Sequence, residues 1–137
     1  MGVIVLDAGV IIGLLDADDA HHAGARRALA EARESGDDLV LPATAYAEVM
    51  VGALAAGDAA AATVDAFVDA LPARIDPVNR EIARSAGRLR AEHRTKLRLP
   101  DALVIATATV LKADRLLTTD GRWPRVPVPV TVVRPDR

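Results

Sequence analysis

The sequence has no cysteine and very few aromatic residues, and each shortage excludes a class of site. Without cysteine, the 137 residues form no structural disulfide and no cysteine-ligated zinc or iron–sulfur site. Aromatic residues make up 2% of the chain, which leaves no platform for stacking nucleic-acid bases. The three histidines are not spaced as a zinc site, and no Walker A loop, G-x-G-x-x-G or H-E-x-x-H motif is present. Any chemistry therefore depends on the remaining polar side chains.

Long hydrophobic runs are also absent. The most apolar segment, residues 8–15, is much shorter than the stretch of about 20 residues that spans a bilayer. The first six residues lack the positively charged segment that begins a signal peptide. We therefore expect a soluble, cytoplasmic protein without a membrane anchor.

The charge is unevenly distributed along a chain of ordinary globular composition. Hydrophobic residues are 51% and charged residues 26%, which fits one domain over residues 1–137. The net charge of −2 combines three basic and twelve acidic residues in 1–70 with fourteen basic and seven acidic residues in 71–137. This asymmetry suggests a surface for an anion or for another chain. The alternative, that the two halves do not correspond to faces of the fold, is equally open.

Short apolar segments alternate with amphipathic ones along the whole chain. This alternation predicts an α/β fold, a central parallel sheet flanked by helices on both faces. Pro127 and Pro129 restrict the last strand to a sheet edge or exclude it from the sheet. The predicted strands are 3–6, 39–41, 74–75, 115–118 and 126–133, and the predicted helices are 10–15, 19–34, 42–56, 58–70, 79–94 and 100–112.

Four acidic residues are candidates for one site. Asp7 and Asp120 follow predicted strands, Asp101 lies in the first turn of a predicted helix, and ligands of parallel sheets bind at the carboxyl ends of strands. Each also has a structural explanation, because Asp7 can cap a helix, Asp101 can stabilise a helix N-terminus and Asp120 can form a turn with Gly121. Glu48 has Ala45, Val49 and Gly52 at helical spacing, which predicts a carboxylate on an apolar helix face that needs a partner.

Carboxylates gathered in one pocket repel each other unless a cation neutralises them. Oxygen ligands without histidine or cysteine favour Mg²⁺ or Mn²⁺. Such ions activate water and stabilise the charge that develops in phosphodiester hydrolysis. Together the four acids thus favour a metal-dependent hydrolase over four separate structural roles.

The ordered set of motifs resembles the PIN-domain ribonucleases, and among them the VapC-type toxins of toxin–antitoxin pairs. It comprises V-I-V-L-D ending at Asp7, D-x-x-H from Asp18, L-P-A-T-A-Y-A-E-V-M-V-G around Glu48, L-P-D-A-L-V-I-A around Asp101 and L-L-T-T-D ending at Asp120. The resemblance covers nearly the whole chain. It implies a single PIN-like domain.

The resemblance also implies an activity and its site residues. The four acids would be catalytic and bind Mg²⁺ or Mn²⁺, and RNA would be cleaved to leave a 5′-phosphate. Thr118 and Thr119 would be supporting residues, and the partners would be RNA, a cognate antitoxin and a second copy in a homodimer. The chain departs from the family at Gly9, where serine, threonine or asparagine is usual, so a polar contact is lost that Thr118 or Thr119 could supply.

A basic run precedes the third acid, and we expect it to bind the RNA phosphates that the acidic pocket repels. The candidate RNA-binding residues are Arg84, Arg88, Arg94, Lys96 and Arg98. The alternative is a solvated helix face with local pairs such as Arg88 with Glu92. Two other functions remain open: a housekeeping RNA-processing PIN nuclease without an antitoxin, and a catalytically silent binding module with structural acids.

Overall fold

The computed structural model describes residues 2–136 and contains five short strands joined by helices. The strands are β1 (Val3–Leu6), β2 (Asp38–Pro42), β3 (Ala73–Asp76), β4 (Arg115–Thr118) and β5 (Val130–Val132). Met1 and Arg137, which the predicted domain includes, lie outside the described residues. The helices are α1 (Ala8–Leu15), α2 (His22–Glu34), α3 (Ala43–Ala56), α4 (Asp58–Ala70), α5 (Arg80–His93) and α6 (Leu99–Val110), with a 3₁₀ turn at Arg94–Lys96.

The helix ends depend on local polar groups. Asn79 caps α5, because its side chain accepts a hydrogen bond from the backbone N–H of Ile82 at 2.9 Å. The start predicted for α2 was too early: Asp19 instead accepts the N–H of His21 at 2.8 Å within a turn. Gly57 separates α3 from α4 at φ 128°, a backbone conformation that residues with a Cβ rarely adopt, and Asp58 is the first residue of α4.

The sheet has the strand order β3-β2-β1-β4-β5, and all its pairings are parallel. The central strand β1 is buried on both faces, which explains its continuous run of aliphatic residues. β5 lies at the edge, as the prolines predicted. It begins only at Val130 because Pro127 and Pro129 have no N–H to donate to a neighbouring strand.

The chain reverses direction across the sheet between β3 and β4. Because parallel crossovers are right-handed, α1 to α4 lie on one face and α5 and α6 on the other, as predicted. The strand order therefore changes direction between β1 and β4, and the crevice at their carboxyl ends is where such sheets bind ligands. None of the helices within residues 2–136 is long and apolar enough to cross a membrane.

Candidate active site

The first acidic side chain, Asp7, lies where β1 ends and α1 begins, and only 8% of its surface is exposed. Its Oδ1 accepts a hydrogen bond from the backbone N–H of Ala8 at 2.9 Å. Its Oδ2 accepts one from the Thr118 hydroxyl at 2.7 Å. Asp7 is thus the capping residue of α1, and the neighbouring strand also holds its carboxylate in place.

Thr118 connects the first acid to the fourth. It is the last residue of β4, is fully buried, and lies beside Asp7 because β1 and β4 pair in parallel. The hydroxyl that donates to Asp7 also accepts a hydrogen bond from the backbone N–H of Asp120 at 3.1 Å. The hydrogen-bonding capacity of Thr118 is therefore used within the site itself.

Asp120 follows β4 and forms the turn that the sequence allowed. Its Oδ1 accepts the backbone N–H of Arg122 at 2.8 Å and lies 3.4 Å from the exposed Arg122 Nε. Sequence reasoning missed Arg122 as a neighbour of the site. Its position two residues after Asp120 could have indicated the contact, because a turn that begins at an aspartate brings the backbone two residues later close to its carboxylate.

Asp101 lies in the first turn of α6, directly after Pro100. Its Oδ2 is 3.8 Å from Nε of the exposed Arg98. The Trp123 indole approaches the same carboxylate and opposes part of the rise that burial causes in the pKa of Asp101, although Trp123 Nε1 is buried without a completed hydrogen bond. Nothing in the local sequence pointed to Trp123, because its position depends on the loop after β4.

Glu48 does not occupy the buried position predicted for it. Ala45 and Val49 form the buried face of α3, whereas Glu48 lies beside them and is exposed. It lines an apolar groove of about 510 Å³ between α1, α3 and α4, together with Ile12 and Val49. The helical spacing of these residues was correctly identified. Glu48 nevertheless lies at the side of the buried face of α3, where the helix borders the groove and does not pack against the core.

The four carboxylates share one electrostatic environment. Burial raises the pKa of Asp7, and the charges of Asp101 and Asp120 raise it further, while the Thr118 hydrogen bond opposes the rise. The pKa of Glu48 is raised by partial burial of its carboxyl and then by Asp7 and Asp101. The pKa of Asp101 is raised by burial and, to a smaller extent, by Asp120, against the opposing effect of Arg98. The four predicted acids therefore influence one another electrostatically, although Glu48 and Asp120 line different pockets.

The chemistry of this pocket fits a hard divalent cation. Within residues 2–136, no three acidic or histidine side chains converge as a ready-made metal cluster. The four side chains nevertheless offer only carboxylate oxygens, the donors that Mg²⁺ and Mn²⁺ prefer. A cation among them would offset both the burial and the mutual repulsion that raise three of their pKa values.

A protein-family model for the PIN domain matches residues 4–129 of the chain. The chain belongs to the PIN domain family. The family resemblance seen in the motifs and the α/β fold predicted from the alternating segments are thereby confirmed. None of the curated protein sequences compared with the chain matches it.

Several solved structures share this PIN fold. A toxin–antitoxin complex from Klebsiella pneumoniae has 27% identity and a TM-score of 0.70, with 93% of this chain and 96% of that chain covered. VapBC2 from Rickettsia felis, bound to a promoter DNA fragment, has 16% identity and a TM-score of 0.78, with 98% and 99% covered. VapC20 of Mycobacterium tuberculosis, a sarcin–ricin loop cleaving toxin, has 19% identity and a TM-score of 0.66, with 82% and 86% covered.

The basic residues predicted to bind RNA are all exposed, but they differ in their relation to the PIN-domain pocket. Arg98 affects it directly, since its charge lowers the pKa of both Asp101 and Glu48. Arg84 and Arg88 lie on α5, and Arg94 and Lys96 lie in the 3₁₀ turn; in residues 2–136 Arg88 forms no ion pair with Glu92.

Another arginine of the basic run has a structural role. Arg90 donates hydrogen bonds to the carbonyls of Arg94 and Leu97, the latter at 2.8 Å. These bonds fix the turn that leads into α6. Arg90 therefore cannot be counted with the free cations of the run.

Proposed function

We propose that this PIN domain is a metal-dependent endoribonuclease that hydrolyses RNA with Mg²⁺ or Mn²⁺. The observation that carries the proposal is the electrostatic coupling of Asp7, Glu48, Asp101 and Asp120 near the carboxyl ends of β1 and β4. The pKa values of the first three are raised by burial and by the charges of neighbouring acids. Carboxylates held together at such a cost to their ionisation are typical of functional sites. The divalent ion would supply activated water and charge neutralisation for cleavage that leaves a 5′-phosphate.

The residues of the pocket would divide the work according to their burial and contacts. Asp7 and Asp101 would hold the metal most directly, because Asp7 is fixed by two hydrogen bonds and Asp101 lies at the start of a helix. Glu48, which is exposed and lines the groove between α1, α3 and α4, would hold a second ion or orient the attacking water. Asp120 would act through water, with Thr118 holding its backbone in position.

RNA would reach the pocket along its basic side. Arg98 is exposed and lies beside Asp101, so its guanidinium is placed to bind a phosphate next to the acids. Arg122 lies in the same way beside Asp120. We assign Arg84, Arg88, Arg94 and Lys96 to the outer part of this surface, where they would attract the substrate by charge.

We further propose that the chain is the toxin of a VapBC-type pair, held inactive by a cognate antitoxin in the cytoplasm, and that it forms a homodimer. Structures of toxin–antitoxin complexes share its fold at full length. The apolar groove around Ile12 and the exposed Val51 and Leu54 of α3 offer surfaces for a protein partner.

The test is to sequence RNA 5′ ends in cells after brief induction of the chain, with Asp101→Asn as the matched control. We expect new 5′-phosphate ends and growth arrest with the parent but not with the variant, and rescue by co-expression of the gene adjacent to that of the chain. Identical 5′ ends in the parent and the variant would contradict a nuclease. Cleavage without arrest or rescue would favour a housekeeping nuclease. A chain that neither cleaves RNA nor binds Mn²⁺ would favour a silent module.

A further inference from the structure

The side chain of Thr119 occupies the space that a side chain at position 9 would need. Gly9 lies in the first turn of α1, two residues after Asp7. A Cβ built on Gly9 would overlap the Thr119 hydroxyl and would be only 3.2 Å from Thr119 Cβ. A larger residue at position 9 and the present position of the Thr119 hydroxyl therefore exclude each other.

The hydroxyl placed there is uncommitted. In residues 2–136 the Thr119 hydroxyl makes no side-chain hydrogen bond, whereas Thr118 uses its own hydroxyl on Asp7 and Asp120. Within residues 2–136 the only buried side-chain polar atom without a partner is Trp123 Nε1, so the Thr119 hydroxyl is not a buried group that lacks a partner. Thr119 itself is half-buried, which restricts where that hydroxyl can point.

Thr119 lies close in the structure to two of the acids, since it contacts the space beside Gly9 and directly precedes Asp120. Gly9 and Ile12 are three residues apart and share a face of α1, and Ile12 lines the groove that also holds Glu48. Thr119 lies between Thr118, which contacts Asp7, and Asp120. A neutral hydrogen-bond donor thus stands at the edge of a group of four carboxylates. An anionic substrate in such a pocket needs donors that the acids cannot supply.

We propose that the Thr119 hydroxyl is a substrate-binding group that donates a hydrogen bond to a non-bridging phosphate oxygen of the bound RNA. This inference rests on the ribonuclease function proposed above. Gly9 is then the residue that leaves room for the donor. The same space could hold the hydroxyl of a serine at position 9 if the Thr119 side chain were shortened.

The test compares RNA binding by variants in an inactive Asp101→Asn background, so that no cleavage disturbs the measurement. The probe is a short mixed-sequence oligoribonucleotide labelled with fluorescein, and anisotropy gives its Kd in Mg²⁺. Thr119→Val removes the donor and nearly keeps the shape, and Thr119→Ser keeps the donor. Thr131→Val, a half-buried threonine of β5, is the matched control. Thermal midpoints of all the variants show whether each one is folded.

We expect Thr119→Val to weaken RNA binding roughly ten-fold or more, the loss typical of a hydrogen bond to a charged oxygen. Thr119→Ser and Thr131→Val should bind as the background protein does. Gly9→Ser alone should lower the thermal midpoint, because its Cβ overlaps Thr119. The Gly9→Ser/Thr119→Ala pair should recover stability and bind RNA more tightly than Thr119→Ala.

Two results separate failure of this inference from failure of the proposed function. If Thr119→Val binds RNA as tightly as Thr119→Ser while the otherwise unmodified chain cleaves RNA, the role of Thr119 is overturned and the nuclease assignment stands. If Gly9→Ser/Thr119→Ala binds RNA no better than Thr119→Ala, the inference that a hydroxyl at position 9 can replace that of Thr119 is also wrong. If the unmodified chain neither binds nor cleaves RNA, both proposals fail.

Discussion

Removing the Thr118 hydroxyl should destabilise the protein substantially, although the substitution hardly changes the volume of the side chain. Thr118→Val keeps the volume of a fully buried side chain but removes two hydrogen bonds, one to the Asp7 carboxylate at 2.7 Å and one from Asp120 N–H at 3.1 Å. A bond to a charged group contributes about 1.5–3 kcal/mol and a neutral one about 1 kcal/mol. We therefore expect the free energy of unfolding to fall by roughly 2–4 kcal/mol, against a typical total of about 5–15 kcal/mol.

The assay is urea unfolding followed by the fluorescence of Trp123, the single tryptophan of the chain. Thr107→Val is the matched control, since Thr107 is equally buried but its hydroxyl donates to the Leu103 carbonyl inside α6. That carbonyl is already part of a helix, so the control should lose less than about 1 kcal/mol. Equal losses for the two variants would refute the role given to Thr118.

Three further predictions concern the charges of the pocket. Because burial and neighbouring acids raise the pKa values of Asp7, Glu48 and Asp101 above their ordinary 3.8, 4.5 and 3.8, the metal-free folded state binds more protons than the unfolded state. Its stability should fall as pH rises from those ordinary values through the raised ones, and calorimetry should find a shallower fall for Asp7→Asn. Asp101→Asn should raise the thermal midpoint of the metal-free protein, since it removes a charge that repels Asp7, Glu48 and Asp120, yet reduce RNA cleavage to background. A lowered midpoint would count against this repulsion. Arg98→Gln should raise the pKa of Asp101, as measured by carboxyl NMR titration. It should also weaken RNA binding more than the control Arg84→Gln does. Equal effects of the two variants on RNA binding would remove Arg98 from the site.

The sequence predicted the fold wherever a pattern of apolar residues, or the chemistry of one residue type, restricts the place of a segment in the sheet. The aliphatic run of β1 predicted a strand buried on both faces, and Pro127 and Pro129 predicted an edge strand. The start of α2 was wrong because several aspartates precede it. Local sequence suggested that one of them caps the helix, whereas His21 stands at the capping position without a side-chain hydrogen bond and Asp19 forms the preceding turn.

The candidate site was predictable as a set of acids but not in its details. Asp7 and Asp120 follow adjacent parallel strands, so sheet geometry alone brings them together. The exposure of Glu48 depends on how α1, α3 and α4 surround a groove, which helical spacing cannot reveal. The contacts of Arg122, Trp123 and Thr119 depend on the path of the chain after β4, and a turn sequence does not specify that path.

The most direct test of the account is the rate of RNA cleavage by the purified chain as Mn²⁺ is titrated, with Asp7→Asn measured in parallel. Asparagine keeps the size of Asp7. Its Oδ1 can still accept the N–H of Ala8 and its Nδ2 can donate to the Thr118 hydroxyl, so the variant should remain folded. The account predicts cleavage by the parent that rises with Mn²⁺ and stops with a chelator, and none by the variant. Cleavage that persists in chelator, or an Asp7→Asn rate equal to the parent's, would contradict it.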